Sequence, residues 1–403
     1  MRILLSSYSM GAGRGSEAGV GWNVASGLAR RGHEVAVLTT EEFGESNKQA
    51  IREQQLGIEL LEWSCGLQNF HLRESYHAWQ NLIRPKVREL LARRQFDILH
   101  HVTFNQYRGI TFAYEAGLPY LIGPIGGAET VPLPLLGELR GKPLLKEIAR
   151  YIGADAIPSG WRRYRGQNNG IVLASNEPTA RRLRTWGLMP NVEICPTIAI
   201  HAHEIVEQPK RLPDTPPYFT FDGGARPEKG ACLLFRALSL LWQQGLRIPV
   251  RIAGVKEPDK PGLLAAARTA GLPDEAVDLM PFIPRHELLG IMQQSAAFVS
   301  AGFRDSGGMA ILEAVALGIP VVCYDIPSQQ WLPAEFADKI PVRSGHLEQD
   351  MAAALLRAAD SPARTAEWHK ERSAFLRRHM TWDIRLDQIE TYYTRILNRT
   401  SQP

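Results

Sequence analysis

The chain has 403 residues, enough for two domains at roughly 100–200 residues each. Its hydrophobic share of 44% and charged share of 22% are those of an ordinary globular protein, and no stretch approaches the ~20 uninterrupted apolar residues of a membrane-spanning helix. The net charge of +4 is too mild to argue for a nucleic-acid partner but is compatible with a phosphorylated ligand.

The opening run, Met1-Arg2-Ile3-Leu4-Leu5, is too short for a signal peptide and leads straight into a glycine-rich loop. Cys65, Cys195, Cys232 and Cys323 lie far apart with no CxxC pair. They read as reduced residues of a cytoplasmic protein.

Short β-rich apolar runs then alternate with amphipathic stretches. In the first half the strand candidates are 3–7, 35–39, 58–63, 97–102, 120–123, 171–175 and 192–196. Between the first two, Val20, Val24 and Leu28 share one helical face. The rhythm breaks near Ala199, and the proline-rich polar stretch at 207–217 reads as a linker. It restarts with strand candidates at 219–222, 250–253, 277–281, 297–300, 321–324 and 339–342. A last helical stretch, 383–397 after Trp382, carries Ile384, Ile389, Tyr392, Tyr393 and Ile396 and is followed by no strand.

The fold class this implies is α/β, with two Rossmann-like domains of parallel strands facing a central cleft. The expected division is a first domain at 1–200, a linker at 201–217, a second domain at 218–381 and a terminal helix at 382–403. Ligands of such sheets bind at the carboxyl ends of strands.

The first loop, from Ser9 to Gly19, contains Gly11, Gly13, Gly15, Ser16 and Glu17. Glycines there let backbone amides and a helix N-terminus approach a phosphate or sugar. The dinucleotide pattern G-x-G-x-x-G fails because Ser16 stands at the third glycine, which argues against an oxidoreductase.

His100 and His101 end the strand at 97–102. Side-chain alternation sends one imidazole to the cleft and the other into packing, and His101 is favoured for the cleft. The loop Gly123-Pro-Ile-Gly126-Gly127-Ala-Glu129 follows the next strand. Glu129 and Glu17 are candidates to orient an acceptor hydroxyl.

Two stretches of the second half suit a diphosphate. Phe221-Asp222-Gly223-Gly224-Ala225-Arg226-Pro227-Glu228-Lys229-Gly230 places two cations after a strand. The run from Ser300 to Val322 ends a strand and then turns through Asp305, Ser306, Gly307 and Gly308. It enters a helix at Met309, with Glu313 on the second turn. The free amides of such a helix start favour an anion, and Glu313 can accept bonds from ribose hydroxyls.

The 300–322 run resembles the signature of the family 4 glycosyltransferases: two acidic residues eight apart flank a glycine turn before a helix ending in GxPVV. The first acid is usually Glu in that family, and Asp305 is a conservative departure. The resemblance implies the retaining, metal-independent GT-B architecture, in which Glu313 holds the nucleotide ribose and 305–309 meet the donor sugar and diphosphate. It implies that Lys229 neutralises the leaving diphosphate. The family's arginine would fall at Gly224, whereas Arg226 lies three before the lysine.

A histidine facing the donor sugar is implied at His101. Gly13 is implied on the donor side, and base contacts, largely to backbone, around Phe282, Ile283 and Pro284. The first domain would bind the acceptor, with Gly15, Ser16, Glu17, Gly127 and Glu129 on that side. The helix after Trp382 is implied to cross back to the first domain.

The function implied is transfer of a hexose-type sugar from a nucleotide-diphosphate sugar to a glycan or polyprenyl-linked saccharide, in bacterial surface-polysaccharide assembly. No cofactor or metal is expected: the chain has no Asp-x-Asp, and His201 and His203 have no third ligand nearby in sequence. A nucleotide-sugar epimerase and a non-catalytic sugar-nucleotide sensor are the alternatives. The basic and apolar segment Leu139–Ile152, followed by Trp161-Arg-Arg-Tyr-Arg165, is a candidate for the anionic inner face of the cytoplasmic membrane.

Overall fold

The computed structural model describes all of the chain except residues 64–65, 67–72, 105, 110, 154–155, 157–168, 188–190, 210–215, 222, 361–363 and 401–403. Among the described residues the strands form one sheet of seven and one of six, and every pairing is parallel. The chain divides into two units: Met1–Ala128, Asp155–Ile198 and Trp382–Pro403 form the first, and Glu129–Ala154 with Ala199–Thr381 form the second.

In chain order the first unit runs β1 (Arg2–Ser7), α1 (Ser16–Arg30), β2 (Glu34–Thr39), α2 (Gly44–Glu53), β3 (Ile58–Glu62), α3 (Arg73–Arg93), β4 (Ile98–Thr103) and β5 (Tyr120–Ile125). Two helices of the second unit interrupt it, α4 (Leu133–Leu136) and α5 (Lys142–Gly153). The first unit resumes with β6 (Gly170–Ala174), α6 (Glu177–Thr185) and β7 (Val192–Ile194). Its sheet has the order β3-β2-β1-β4-β5-β6-β7. Ile3, Leu4 and Leu5 are all fully buried, as expected where helices cover both faces of a parallel sheet.

The second unit continues with β8 (Phe219–Phe221), α7 (Ala231–Gln243), β9 (Val250–Ile252), α8 (Lys260–Thr269), β10 (Val277–Leu279), α9 (Arg285–Gln293), β11 (Ala297–Ser300), α10 (Met309–Leu317), β12 (Val321–Tyr324), β13 (Asp338–Ile340), α11 (Leu347–Asp360) and α12 (Ala366–His379). Its order, β10-β9-β8-β11-β12-β13, repeats the pattern of the first sheet. In both, the strand order reverses beside the first strand of the unit, between β1 and β4 and between β8 and β11. Loops diverge at such a reversal and leave a crevice beyond the strand ends. The expectation of two Rossmann-like domains is met.

The last helix, α13 (Trp382–Thr400), belongs to the first unit. It buries Leu386, Ile389, Tyr393 and Ile396. A side chain of that size contributes about 1.5–3 kcal/mol when fully buried. Gly27 of α1 permits the approach, because a Cβ there would stand 2.3 Å from Leu386 Cδ1. At the rim, Arg31 pairs with Asp387 at 2.7 Å and also with Glu390, which His33 Nε2 meets at 2.6 Å.

Two boundaries differ from the sequence expectation. Residues 129–154, placed in a first domain at 1–200, belong to the second unit. Val131, Leu135 and Leu139 join that unit's apolar core, a tertiary preference that local patterning does not carry. The start of the expected linker at 201–217 is also folded onto the second unit. Ala202–Glu204 form a 3-10 turn, and the Val206 amide donates to the Ala316 carbonyl at 3.0 Å.

Candidate functional site

In the second unit the crevice between β8 and β11 is lined by the two stretches singled out for a diphosphate. After β8 the chain makes a 3-10 turn over Pro227–Lys229 and passes through Gly230 (φ 80°) into α7. Gly230 has two reasons to be glycine. The left-handed conformation disfavours other residues, and a Cβ would lie 2.1 Å from the Ala301 carbonyl oxygen. That close approach joins the turn to the strand-end loop after β11, where the Phe303 amide donates to the Glu228 carbonyl at 2.9 Å.

The juxtaposition brings Lys229 Nζ to 3.3 Å from Asp305 Oδ2. The other carboxylate oxygen, Oδ1, accepts the Gly307 and Gly308 amides, each at 3.0 Å. Burial pushes the Asp305 carboxyl up, but the Lys229 charge and the two amides outweigh it and hold it below the ordinary aspartate value. Asp305 therefore stays ionised and shapes the turn.

Gly308 (φ 74°) ends the turn and caps α10, whose N-terminus has no side-chain cap. Its first-turn amides are the groups that would meet an anion. The Gly307 carbonyl accepts from Trp331 Nε1 at 3.1 Å. Arg226 is exposed, with no side-chain partner among the described residues.

Glu313, on the second turn of α10, is not isolated. Arg285 Nε donates to its Oε1 at 2.7 Å, and Arg285 Nη1 donates to Glu204 Oε1 at 2.6 Å. Glu204 Oε2 in turn accepts the His201 amide at 2.8 Å. Burial lifts the Glu313 carboxyl above the ordinary glutamate value, with Arg285 opposing and the Glu204 charge adding. Burial also acts on Glu204, but the His201 amide and Arg285 outweigh it and lower that group. Sequence reasoning missed Arg285 and Glu204. They lie 28 and 109 positions before Glu313, and no local pattern links them to it.

Phe282, expected near the base, is 83% exposed, and Ile283 beside it is half-buried, both on the loop between β10 and α9. Glu129, expected on the acceptor side of the first domain, lies in the second unit instead, where Ser306 Oγ donates to its Oε2 at 3.3 Å. It is 4% exposed. Arg304 reaches the same inserted segment, pairing with Glu147 at 3.3 Å, and Glu147 also accepts the Val131 amide at 2.9 Å.

The other candidates are in the first unit. Gly13 (φ 68°) and Gly15 lie in the loop between β1 and α1, where a Cβ on either would meet nothing within 4 Å. The loop is fastened by Asn47 of α2, which accepts from the Ala12 amide at 3.0 Å and donates to the Met10 carbonyl at 2.7 Å. Gly15 precedes α1 with no side-chain cap, and the Ser16 side chain lies outside the described residues. Glu17 accepts the Phe104 amide at 2.8 Å. Gly127 (φ 93°) follows β5.

The histidine pair is placed differently from the expectation. Both imidazoles are buried, to 1% and 0% exposure. His100 Nδ1 meets the Tyr393 hydroxyl at 2.7 Å, whereas His101 bridges Ser6 Oγ at 2.8 Å and the Tyr76 hydroxyl at 2.9 Å. Strand alternation does send the two rings to opposite faces, but both faces are packed. Burial drives both down to about 3, with repulsion between the pair adding for His101. Each ring is thus neutral at pH 7, with its nitrogens engaged inside the unit.

Among the described residues no three His, Cys, Asp or Glu side chains converge as metal ligands. The His201 and His203 rings stack 5.3 Å apart. The Trp161–Arg165 run lies outside the described residues.

Residues 203–373 match the family described as Glycosyl transferases group 1. No curated protein sequence matches the chain. Among solved structures it is similar to a sucrose-phosphate synthase from Thermosynechococcus elongatus, at 15% identity and a TM-score of 0.69, covering 99% of each chain. A glycosyltransferase from Rickettsia africae gives 15% identity and 0.65 over 98% of each chain. Anabaena HepE, solved with UDP and glucose, gives 14% and 0.59 over 98% of this chain and 99% of that one. Residues 203–373 thus match the glycosyl transferases group 1 model, and the chain has the GT-B fold of its structural neighbours.

Proposed function

We propose that the protein is a retaining glycosyltransferase that moves a hexose-type sugar from a nucleotide-diphosphate sugar to a glycan or polyprenyl-linked saccharide in surface-polysaccharide assembly. The observation that carries this reading is the cradle of Lys229, Asp305 and the Gly307–Met309 turn at the strand-order reversal of the second unit. Solved neighbours include HepE with UDP-glucose, consistent with a nucleotide-sugar donor.

In this reading the diphosphate lies on the α10 N-terminus, and Lys229 balances the charge that develops as the bond from the anomeric carbon to the diphosphate oxygen breaks. Arg226 reaches in from solvent to assist. The acceptor oxygen bonds to the same carbon from the same face, and its proton passes to the departing diphosphate oxygen. No protein nucleophile and no metal ion is required. We assign the acceptor to the first unit, at the loop carrying Gly15, Ser16 and Glu17 and at Gly127.

We also propose that α5 rests on an anionic bilayer at the cytoplasmic face, where a lipid-linked acceptor would be met. Leu145, Ile148 and Ile152 follow one helical face at 65%, 40% and 80% exposure, with Leu133 at 71% nearby. The exposed cations Arg140, Lys142 and Lys146 flank them, a composition complementary to acidic lipid. Among the described residues no helix is long and apolar enough to cross a membrane.

The test is calorimetric titration with UDP-, GDP- and ADP-sugars, then turnover with and without saccharide acceptors, and NMR of the product anomer. Binding with acceptor-dependent, configuration-retaining transfer is expected. Absence of binding to every nucleotide-sugar overturns the donor reading, and turnover without acceptor points to an epimerase. Sedimentation with phosphatidylglycerol vesicles, lost in a Leu145→Ser, Ile152→Ser variant, tests the α5 surface. Equal sedimentation of that variant would refute it.

A further inference from the structure

The group that governs Glu313 comes from a distant part of the second unit. Arg285 is the first residue of α9, directly after the loop at 282–284, and its guanidinium spans two carboxylates. Nε takes Glu313 Oε1 at 2.7 Å and Nη1 takes Glu204 Oε1 at 2.6 Å. Glu204 is anchored in turn by the His201 amide on its second oxygen, at 2.8 Å. The Glu313 side chain is 11% exposed, and no protein donor to its Oε2 is found among the described residues. One carboxylate oxygen is thus fixed while the other remains as an acceptor.

We propose that Arg285, backed by Glu204, is a positioning residue for recognition of the donor's ribose. It clamps Glu313 through Oε1, so that Oε2 is presented to the vicinal hydroxyls of a nucleoside diphosphate. The proposal rests on the donor reading given above.

Three physical features support it. The planar guanidinium holds its Nε and Nη1 donors at a fixed angle, so the two carboxylates it spans are held in a set relative direction, which a lysine does not do. The clamp ties three elements together: the 3-10 turn at Ala202–Glu204, the start of α9, and α10. Because Arg285 adjoins the 282–284 loop, its side chain links the end of that loop directly to Glu313. Without Arg285, Glu204 and Glu313 would be left as two partly buried carboxylates with no cation between them, and Glu313 would shift towards its protonated form, a poorer acceptor.

The test is calorimetric binding of UDP, GDP and ADP, each against its 2′-deoxy form, to the full chain and to Arg285→Met, Arg285→Lys and Glu204→Gln variants. The wild type is expected to prefer at least one ribonucleotide over its deoxy form by about tenfold or more, the scale of one charged hydrogen bond. In Arg285→Met the preference falls below about threefold, with the affinity for the deoxy form, which keeps only the 3′-hydroxyl, changing less than that for the ribonucleotide. A merely structural role would weaken both forms together.

Should Arg285→Met not fold, Arg285→Lys and Glu204→Gln decide the matter, since each breaks the two-carboxylate span, and each is expected to lose part of the preference. Variants that retain the full ribose preference, or bind the ribonucleotide more tightly, overturn the proposal. A wild type that binds no nucleotide overturns the donor reading itself, and this inference with it.

Discussion

Lys229 Nζ lies 3.3 Å from Asp305 Oδ2, joining the turns that follow two adjacent parallel strands, β8 and β11. The same carboxylate holds the amides of Gly307 and Gly308. One acid thus sets the shape of the candidate diphosphate loop while holding the cation beside it.

Lys229→Ala is expected to lower kcat by about 10²–10³-fold, the loss typical of removing one preorganised electrostatic contact. Arg226→Ala is expected to cost less than about tenfold, because Arg226 is exposed and unanchored. Steady-state kinetics on both variants makes the comparison. Equal losses would show that the two cations share the diphosphate.

The buried imidazoles predict an acid-sensitive first unit. Both folded-state values are pushed down to about 3, while unfolded histidine titrates near 6.5. Below 6.5 the unfolded chain takes up protons that the folded chain does not, so stability is full above that value and falls as the pH drops from 6.5 towards 3. At pH 5 the loss is about 2 kcal/mol per imidazole. His101→Gln keeps a donor and an acceptor for Ser6 and Tyr76 but does not titrate. Its Tm should therefore fall less steeply than the wild type's between pH 7 and pH 5.

Arg372 is fully buried, and its guanidinium donates to the Val315 and Ala316 carbonyls at the end of α10 and to the Val206 carbonyl. Burial pushes it down to about 10, still charged at neutral pH. Arg372→Met removes the guanidinium donor from all three carbonyls, of which Val315 and Ala316 still accept the Gly318 and Val206 amides, and should destabilise by about 1–3 kcal/mol. Denaturant unfolding with a probe in the second unit measures this.

Glycine substitutions separate packing from ligand approach. Gly230→Ala places a methyl against the Ala301 carbonyl and forces a left-handed alanine, so it should cost more than about 2 kcal/mol. Gly15→Ala meets no protein atom at φ −93°, and its Tm should match the wild type's. A rise in acceptor KM for Gly15→Ala at unchanged Tm would place a ligand against that backbone. Unchanged kinetics would remove Gly15 from the site.

Strand and helix positions were legible from the chain alone because parallel strands buried on both faces are written as short apolar runs, such as Ile3–Leu5 and Val321–Val322. The candidate diphosphate turn was legible for a similar reason: Asp305, Gly307 and Gly308 are neighbours in sequence and make a local structure. What lay outside local reach was long-range pairing. The Arg285 clamp on Glu313 spans 28 positions, and its link to Glu204 spans 81. Glu129 follows a strand of the first sheet yet packs with the second unit, because Val131, Leu135 and Leu139 find their apolar partners there. The histidine pair shows the same division. Alternation along β4 placed the two rings on opposite faces, but only the arrival of Tyr393 from the far end of the chain, and of Tyr76 from α3, decided that neither faces solvent. Sequence determines the period and chemistry of each element; burial depends on which distant element covers it.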